Sequence, residues 1–434
     1  MSAEPLAGAR VAVVVLGDVG RSPRMLRHAS ALLGTGAAVE LIGYPGADLP
    51  SALAGHPGLS IRHLAEPPRA GRHQLSRARF LAYALSRASL LGARLLSRAV
   101  GSAPRPDLWL LQTPPALPTL LLPPLAALRG ARIVVDWHNL GHTQLALTLG
   151  SSHAAVRVAR ALERRLAPRA HAHLCVSTAL QRALATAWRV RAPVVLRDRP
   201  AAFLAPATAA DRGARRRRLG QLLGLELDGP RPPLVAISPT SWSADEDTDL
   251  LLNALAACEA GLGGADGLRL VVVLTGTGPN RARFEARAAA MPLRRAAART
   301  AWLQPDDYAT LLGAADVGIC LHRSSSGLDL PMKIADCFGA GLPVCAVDYG
   351  ETLREMLAPG RTGVLFRTAD ELARHCLSWL AQGGSAHLQH LRAGVAGLPR
   401  TTWEEGWRTE ALPVFARLLG RAAAGVSSPA ARSA

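Results

Sequence analysis

Short apolar runs alternate with longer amphipathic stretches along most of this 434-residue chain. In the first half, the apolar runs fall at residues 11–16, 38–44, 108–112 and 131–139, and a helical stretch at 25–33 follows the first of them. Apolar runs of roughly four to eight residues that alternate with helices are typical of a parallel sheet covered on both faces. The pattern therefore predicts an α/β lobe in this half.

The same alternation begins again in the second half, after a stretch that breaks it. Residues 201–232 are rich in Ala and Pro and contain the basic run ARRRRLG (214–220), so we interpret them as a linker. The later apolar runs fall at 234–242, 268–279, 317–322, 342–347 and 362–366. Two such halves predict an α/β arrangement of two Rossmann-like lobes with parallel sheets facing a central cleft. Ligands of such sheets bind at the carboxyl ends of the strands.

These patterns predict five segments along the chain. They are a first lobe at 9–200, the linker at 201–232, a second lobe at 233–385, C-terminal helices at 386–420 that pack back on the first lobe, and a disordered tail at 421–434.

Composition adds a strong positive charge to this picture. The formal net charge is +18. Arg and Ala are abundant and Lys is nearly absent, which is the bias that GC-rich coding produces, so compositional bias is one source of this charge. Such a chain favours anionic partners: nucleic acid, phosphorylated ligands or an acidic membrane surface. The six cysteines are widely spaced and form no CxxC pair, which argues against a zinc or redox site and suits a reducing compartment.

Two glycine-rich turns follow predicted strands. In GDVGRSP (17–23), Gly17 and Gly20 would let the backbone approach a ligand, and Arg21 and Ser22 would hold a phosphate at the helix start. A turn that needs glycine for its geometry alone is the alternative.

The second turn, TGTGPNR (275–281), contains Gly276 and Gly278 but has Asn280 at the last position of a GxGxxG pattern. It therefore indicates a nucleotide site no more strongly than a structural turn.

Polar side chains cluster after two other strands. VDWHNLGHT (135–143) places Asp136, His138 and His142 near one strand end, where His138 is a candidate base because its ordinary pKa lies near neutrality. SPTSWSADED (238–247) offers a Ser/Thr loop that includes Ser241. We interpret the acids that follow at 245–247 as helix caps.

The stretch HRSSSGLDLPMKIAD (322–336) is the most informative in the chain. Its serines and the following backbone N–H groups predict a phosphate cradle, formed by Ser324, Ser325, Ser326, Gly327 and Leu328. Lys333 is the single lysine of the protein and falls in the first turn of a predicted helix, where the helix dipole disfavours a cation. An anion close to Lys333 would explain it, and chance retention of the lysine is the alternative.

The segments 72–98 and 112–125 predict contact with a membrane surface. The first is basic and loosely amphipathic, and the second is apolar but too rich in Pro to span a bilayer. A solvated surface helix is the alternative for the first.

Taken in order, these motifs make the chain resemble the chitobiosyldiphosphodolichol beta-mannosyltransferases, which are GT-B glycosyltransferases of asparagine-linked glycan assembly. The resemblance covers about residues 10–415 and includes DRPAAF (198–203) and TTWEEGW (401–407). It implies that mannose passes from GDP-mannose to the chitobiose of a dolichyl diphosphate, with inversion, on the cytosolic face of the endoplasmic reticulum. GT-B enzymes typically stabilise the departing nucleotide with cations and helix N-termini, so no metal or other cofactor is expected.

The resemblance also implies roles for individual residues. Lys333 would neutralise the leaving diphosphate, Asp336 would take the ribose-binding position and Asp329 would hold mannose hydroxyls. His138 would be the base, with Asp18 and Asp136 as rivals. The predicted donor-binding residues are Ser241, Gly276, Gly278, His322, Ser324, Ser325, Ser326, Gly327, Leu328, Asp329, Lys333 and Asp336, and the acceptor-binding residues are Gly17, Gly20, Arg21, Ser22 and His142.

Many members of the family carry an N-terminal membrane anchor, whereas ten residues precede the first predicted strand here. We expect either that the anchor is absent or that the gene model is truncated, with attachment through the 72–98 and 112–125 segments. Other early mannosyltransferases of the pathway are expected partners.

Three alternatives stay open at this point. Another GT-B enzyme, a retaining one with a different nucleotide sugar, is disfavoured by Leu328, where related retaining enzymes carry a glutamate. A non-enzymatic nucleic-acid-binding protein fits the charge weakly, but the arginines are dispersed and no RNP-like or helix-turn-helix signature is present. An inactive scaffold of the pathway is disfavoured by the intact donor block.

Overall fold

The computed structural model describes residues 4–65, 86, 89–94, 97, 105–123, 130–201, 203–264, 267–303 and 305–421. The chain divides into two compact units, one reaching Arg197 and resuming at Trp403, the other running from Asp198 to Thr402. Most of the predicted membrane helix at 72–98, the end of the 112–125 segment and nearly all of the predicted tail lie outside the described residues.

The first unit is built on a parallel sheet with the strand order β3-β2-β1-β4-β5-β6-β7 in the described part of the chain. Its strands are β1 (Arg10–Asp18), β2 (Ala38–Tyr44), β3 (Leu59–His63), β4 (Leu108–Thr113), β5 (Arg132–Trp137), β6 (Ala172–Cys175) and β7 (Val194–Val195). Its helices include α1 (Pro23–Leu33), α2 (Gly141–Leu149), α3 (Ala154–Leu166) and α4 (Thr178–Ala187), with 3₁₀ turns at Val19–Arg21, Thr119–Leu121 and Ala167–Arg169.

The second unit repeats this design with the strand order β10-β9-β8-β11-β12-β13. Its strands are β8 (Leu234–Pro239), β9 (Leu270–Thr275), β10 (Ala296–Ala301), β11 (Val317–Cys320), β12 (Val344–Val347) and β13 (Gly363–Phe366). Its helices are α5 (Ala209–Leu223), α6 (Thr248–Gly261), α7 (Arg281–Ala289), α8 (Pro305–Ala314), α9 (Met332–Gly339), α10 (Ala369–Leu380) and α11 (Gly384–Ala396), with a 3₁₀ turn at Glu351–Glu355.

Each sheet changes its winding direction beside its first strand, between β1 and β4 in the first unit and between β8 and β11 in the second. All of the strand pairs in both sheets are parallel, so the carboxyl ends of neighbouring strands share one edge. Doubly wound sheets bind ligands at such a switch point, outside the carboxyl ends of the strands. The prediction of two Rossmann-like lobes with parallel sheets is confirmed.

The chain returns to the first unit near its C-terminus. A helical run begins with α12 (Trp403–Gly406), widens to a π-helical turn at Trp407–Ala411 and continues as α13 (Leu412–Leu418). Trp403, Trp407 and Phe415 are buried in the same apolar core as the β1 valines and the inner face of α1. This core places the C-terminal tryptophans beside the start of α1.

The predicted linker at 201–232 is wrong in its central part. Helix α5 lies within it and belongs to the second unit, where Leu219 joins the apolar core. Its basic run is neutralised by carboxylates that are close in space, since Arg216 pairs with Asp316, and Arg218 pairs with Asp307 at 2.6 Å. Ala, Arg and Leu are strong helix formers, so the composition that suggested a linker instead forms a helix.

Thr208 caps this helix in a capping box with Asp211. Thr208→Ala removes the hydroxyl that accepts the Asp211 N–H and should lower the free energy of unfolding by about 1 kcal/mol. Urea denaturation beside Thr208→Ser, which keeps the hydroxyl, measures the difference. Equal stability of the two variants would show that the cap does not contribute.

Candidate functional site

In the second unit, a buried ion pair lies at the carboxyl end of β8. Glu246 accepts hydrogen bonds from the backbone N–H groups of Ser241 and Trp242 at 2.8 and 2.9 Å, and its other oxygen binds the ammonium of Lys333 in the first turn of α9. Burial alone would lower the pKa of Lys333, but the Glu246 carboxylate more than offsets this, so the pKa lies above its ordinary value. The lysine is therefore held as a cation.

The same carboxylate fixes the loop after β8 in an unusual conformation. Trp242 has a φ of 56° and is completely buried, and its indole N–H donates to the Gly276 carbonyl at 3.0 Å. A side chain at Gly276 would collide with the Thr240 carbonyl, and one at Gly278 would collide with Ser241. The glycines of TGTGPNR thus let the two loops pack together, which accounts for them without a bound nucleotide.

His322 follows β11 and is clamped between two carboxylates. Its Nδ1 lies 2.9 Å from Asp245 and its Nε2 lies 2.8 Å from Asp329. Burial alone would lower its pKa, but the hydrogen bonds to both carboxylates raise the pKa of His322 to about 9. The ring is therefore an imidazolium at neutral pH. Ser324 donates to the second oxygen of Asp329, so both oxygens of this carboxylate have a donor.

The serine-rich loop is closed by its own hydrogen bonds. The Leu328 N–H, predicted as part of a phosphate cradle, donates to the Ser326 hydroxyl at 3.1 Å. Thr352 donates to the Gly327 carbonyl at 2.6 Å, and Gly327 has a φ of 73°, which favours glycine. Asp336 lies three residues after Lys333 on α9, and therefore on the same helix face.

In the first unit, a second buried carboxylate has several donors. Asp136, at the end of β5, receives two hydrogen bonds from the Arg24 guanidinium, at 2.7 and 2.8 Å. His28 and His138 also reach it, at 3.2 and 2.9 Å through their Nε2 atoms. Burial alone would raise the pKa of Asp136, but Arg24 and His138 hold it well below its usual range. Asp136 is therefore an anion, and both of its oxygens accept hydrogen bonds.

A chain of neutral polar groups leads from His138 to the switch point of the first sheet. The Nδ1 atom of His138 lies 3.3 Å from the Gln112 amide nitrogen, at the end of β4. The Ser22 hydroxyl, just before α1, donates to the Gln112 amide oxygen at 3.1 Å. The structure thus brings together Ser22, His138 and Asp136 among the predicted residues.

Asp18, the last residue of β1, instead has a structural role, because it caps the turn that follows the strand. Its oxygens accept the N–H groups of Gly20 and Ala47 at 3.0 Å each, and Arg21 lies 3.4 Å away. A side chain at Gly20 would collide with the Ala47 carbonyl. Gly17 directly precedes Asp18 and lies within β1. Glycine at position 20 is therefore required for close backbone packing.

His142, predicted to bind the acceptor, belongs to another buried pair. Its Nδ1 lies 2.5 Å from the carboxylate of Glu163 in α3, and its ring stacks on Trp188. Glu163 also accepts the His142 backbone N–H at 3.0 Å, which fixes the start of α2.

Comparison with known proteins identifies the family. Residues 19–197 match the family described as "Glycosyl transferase 4-like domain", and residues 232–382 match "Glycosyl transferases group 1". A chitobiosyldiphosphodolichol beta-mannosyltransferase of Yarrowia lipolytica is 34% identical over 94% of this chain and 86% of its own length. The chain belongs to the GT-B glycosyltransferases.

Of two further relatives of this glycosyltransferase, one has the same name as the Yarrowia lipolytica protein and the other has a different name. The human chitobiosyldiphosphodolichol beta-mannosyltransferase is 32% identical over 94% of this chain and 93% of its own length. The "UDP-glycosyltransferase TURAN" of Arabidopsis thaliana is 36% identical over 92% of this chain and 95% of its own length.

Solved structures agree on the fold of this glycosyltransferase. Anabaena HepE, solved with UDP-glucose, gives a TM-score of 0.62 at 15% identity and covers 95% of this chain and 98% of its own. Sucrose-phosphate synthase from Thermosynechococcus elongatus gives 0.60 at 16% identity, with 95% and 97% coverage.

Sequence reasoning missed several residues of these two clusters. Arg24 and His28 stand four residues apart on α1, a spacing that places both on one helix face and could have indicated a shared partner. Glu246 was hidden in an acidic cluster interpreted as helix caps. That interpretation is right for Asp247, which accepts the Leu250 N–H at 3.0 Å, but wrong for Glu246.

The His322 clamp gives stability with a defined pH dependence. The folded pKa of about 9 lies above the ordinary value of 6.5, so the stabilisation is complete below about pH 6.5 and is lost as pH rises through 9. The thermal midpoint of His322→Gln should therefore fall furthest below the wild type near pH 6 and approach it above pH 9. The exposed His390→Gln is the control, and a deficit that grows with pH would contradict the clamp.

Proposed function

We propose that this glycosyltransferase moves mannose from GDP-mannose to the chitobiose of a dolichyl diphosphate, forming a β1,4 bond with inversion. The observation that carries the proposal is the near-full-length similarity to relatives named for this activity in organisms as distant as Yarrowia lipolytica and human. The block HRSSSGLDLPMKIAD, in which the resemblance is most specific, forms the charged cluster at the switch point of the second sheet.

In this proposal the second unit binds the donor. An ammonium has three N–H donors, and the described contacts of Lys333 use one of them for Glu246. The remaining donors would meet the diphosphate of GDP as negative charge develops on the leaving group. Asp329 and Asp336 would take sugar and ribose hydroxyls, since ionised carboxylates only accept hydrogen bonds. No metal is required in this scheme, and removal by a chelator tests that point.

His138 is the base that this arrangement favours. Asp136 is paired with Arg24, and Asp18 is engaged by backbone N–H groups, so neither rival carboxylate is well placed to take a proton. His138 is about one-fifth exposed and has the fixed carboxylate behind it. Deprotonation of the acceptor hydroxyl at the histidine would accompany departure of GDP.

A UDP-sugar donor is the second candidate. The name of the Arabidopsis relative supports it, because that protein is as similar to this chain as the mannosyltransferases of Yarrowia lipolytica and human are. Both candidate functions would use the charged cluster of the second unit, and they differ in the nucleobase and the sugar of the donor.

The proposed acceptor places the enzyme at a membrane surface, the cytosolic face of the endoplasmic reticulum. Within the described residues, no helix is long and apolar enough to cross a bilayer. The net charge of +18 supports attraction to an anionic lipid surface.

Transfer from labelled GDP-mannose to phytanyl diphosphate chitobiose tests the donor, the acceptor and the linkage together. We expect addition of one mannose that a β-mannosidase releases, with activity retained in EDTA. GDP-glucose, UDP-glucose and UDP-GlcNAc serve as competing donors. Transfer from a UDP-sugar but not from GDP-mannose would overturn the mannosyltransferase proposal and favour the second candidate.

Lys333 offers a sharper test of the donor site. Lys333→Arg should lower kcat/KM about tenfold, because a wide planar guanidinium replaces a compact ammonium beside the buried Glu246. Lys333→Met should lower it about 100-fold, with most of the loss in kcat, because the charge acts on the leaving group.

The conservative change Arg374→Lys, at an exposed position of the same unit, is the matched control and should leave kcat/KM unchanged. Full activity of Lys333→Arg would remove the assigned role of the lysine.

A further inference from the structure

The C-terminal helical run contacts the polar cluster behind His138. Trp407 lies where this run widens to a π-helical turn, a feature that occurs frequently at functional sites. Its indole N–H donates to the Nδ1 atom of His28 at 3.0 Å, and both side chains are buried. Trp403 packs edge-on against His28, with 5.3 Å between ring centroids.

This contact fixes the tautomer of His28. An indole N–H can only donate, so Nδ1 of His28 is the acceptor and its ring proton lies on Nε2. Nε2 in turn lies 3.2 Å from Asp136 and donates to it. Complete burial lowers the pKa of His28, so the ring stays neutral. His28 is therefore an uncharged donor whose direction is set by Trp407.

The donors on Asp136 then determine the state of His138. One Asp136 oxygen accepts from Nε of Arg24 and from His28, and His138 is its third neighbour. Since Asp136 is ionised, the Nε2 atom of His138 must carry the proton. Its Nδ1 is the basic nitrogen, and it faces the Gln112 amide at 3.3 Å.

We propose that His28 and Trp407 are positioning residues that set the basicity of His138 through Asp136. The inference rests on the proposed role of His138 as the base. The charged or titratable groups that contact the His138–Asp136 pair, among the residues described, are Arg24 and His28. The negative charge of Asp136 is thus divided among three donors, and a change in one alters its attraction for the other two.

Two substitutions should shift the basicity of His138 in opposite directions. His28→Leu removes a donor from Asp136, so the Asp136 charge acts more strongly on His138 and should make its ring more basic. Trp407→Phe removes the N–H that blocks protonation of His28 at Nδ1. A more readily protonated His28 competes for Asp136, so the ring of His138 should become less basic.

The acidic limb of the pH profile of kcat/KM is the first readout. It should move to higher pH in His28→Leu, move to lower pH in Trp407→Phe, and stay in place in His28→Gln, which keeps an uncharged donor towards Asp136. Below the limb, His28→Leu should lose about tenfold in kcat/KM for a shift of one unit. GDP affinity should be unchanged in all three, because the cluster lies in the other unit.

NMR titration of protein with ¹⁵N-labelled histidines gives a second readout that does not depend on activity. It reports the tautomer of His28 and the pKa of His138, with assignments from His28→Gln and His138→Gln. Opposite shifts in the two test variants would support the proposal. Equal titration of His138 in wild type, His28→Leu and Trp407→Phe would overturn it.

The two hypotheses can fail separately. A wild-type protein that transfers no sugar would contradict the proposed function, while the NMR titration would still decide whether His28 and Trp407 control His138. If His28→Leu does not fold, Trp407→Phe and His28→Gln decide. Trp407→Phe keeps an aromatic ring in place to stack on Phe415.

Discussion

A charged side chain removed from water must find a partner, and this requirement organises both units. Asp136 in the first unit and Glu246 in the second have almost no exposed side-chain surface. A cation from a helix start reaches each of them, Arg24 from α1 and Lys333 from α9. Removing one member of such a pair leaves an uncompensated buried charge, which is strongly destabilising. The two pairs therefore hold their helix starts against the carboxyl edges of the sheets.

The choice of cation differs because the geometry of the two carboxylates differs. Arg24 meets Asp136 with two parallel hydrogen bonds and uses a third nitrogen for the Leu196 carbonyl, which a planar fork can do. The oxygens of Glu246 are divided instead, since one holds two backbone N–H groups and the other holds Lys333. A single compact charge fits that position in a chain that otherwise uses arginine.

Much of the fold followed from the sequence because the central strands are buried on both faces. The valine-rich runs of β1 and β9 could hardly form anything else. The edge strands β3 and β10 were missed since they are less covered and carry no apolar run, as SIRH and AAART show. The helix α5 was missed because its arginines are neutralised by aspartates about 90 to 100 residues away, and no local pattern reports that.

The site was predictable only as far as local motifs reach. HRSSSGLDLPMKIAD indicated the charged cluster of the second unit, but its partners Asp245 and Glu246 lie more than 70 residues earlier and resembled ordinary helix caps. The partnership of Trp407 with His28 spans 379 positions, although TTWEEGW was recognisable as a motif. The return of the chain to the first unit decides the Trp407 contact, whereas the pairing of β8 with β11 brings the parts of the second cluster together.

The charged cluster of the second unit has two parts that suit different ligand groups. Asp245, Glu246 and Asp329 contribute three negative charges, while His322 and Lys333 contribute two positive ones, so these five groups together carry one negative charge. Because their net charge is negative, the five groups taken together do not attract a diphosphate. The start of α9, with Lys333 and the helix dipole, is the part that suits phosphate, and the carboxylates around His322 suit sugar hydroxyls. A nucleotide sugar satisfies both requirements at once, whereas a free polyanion satisfies only one.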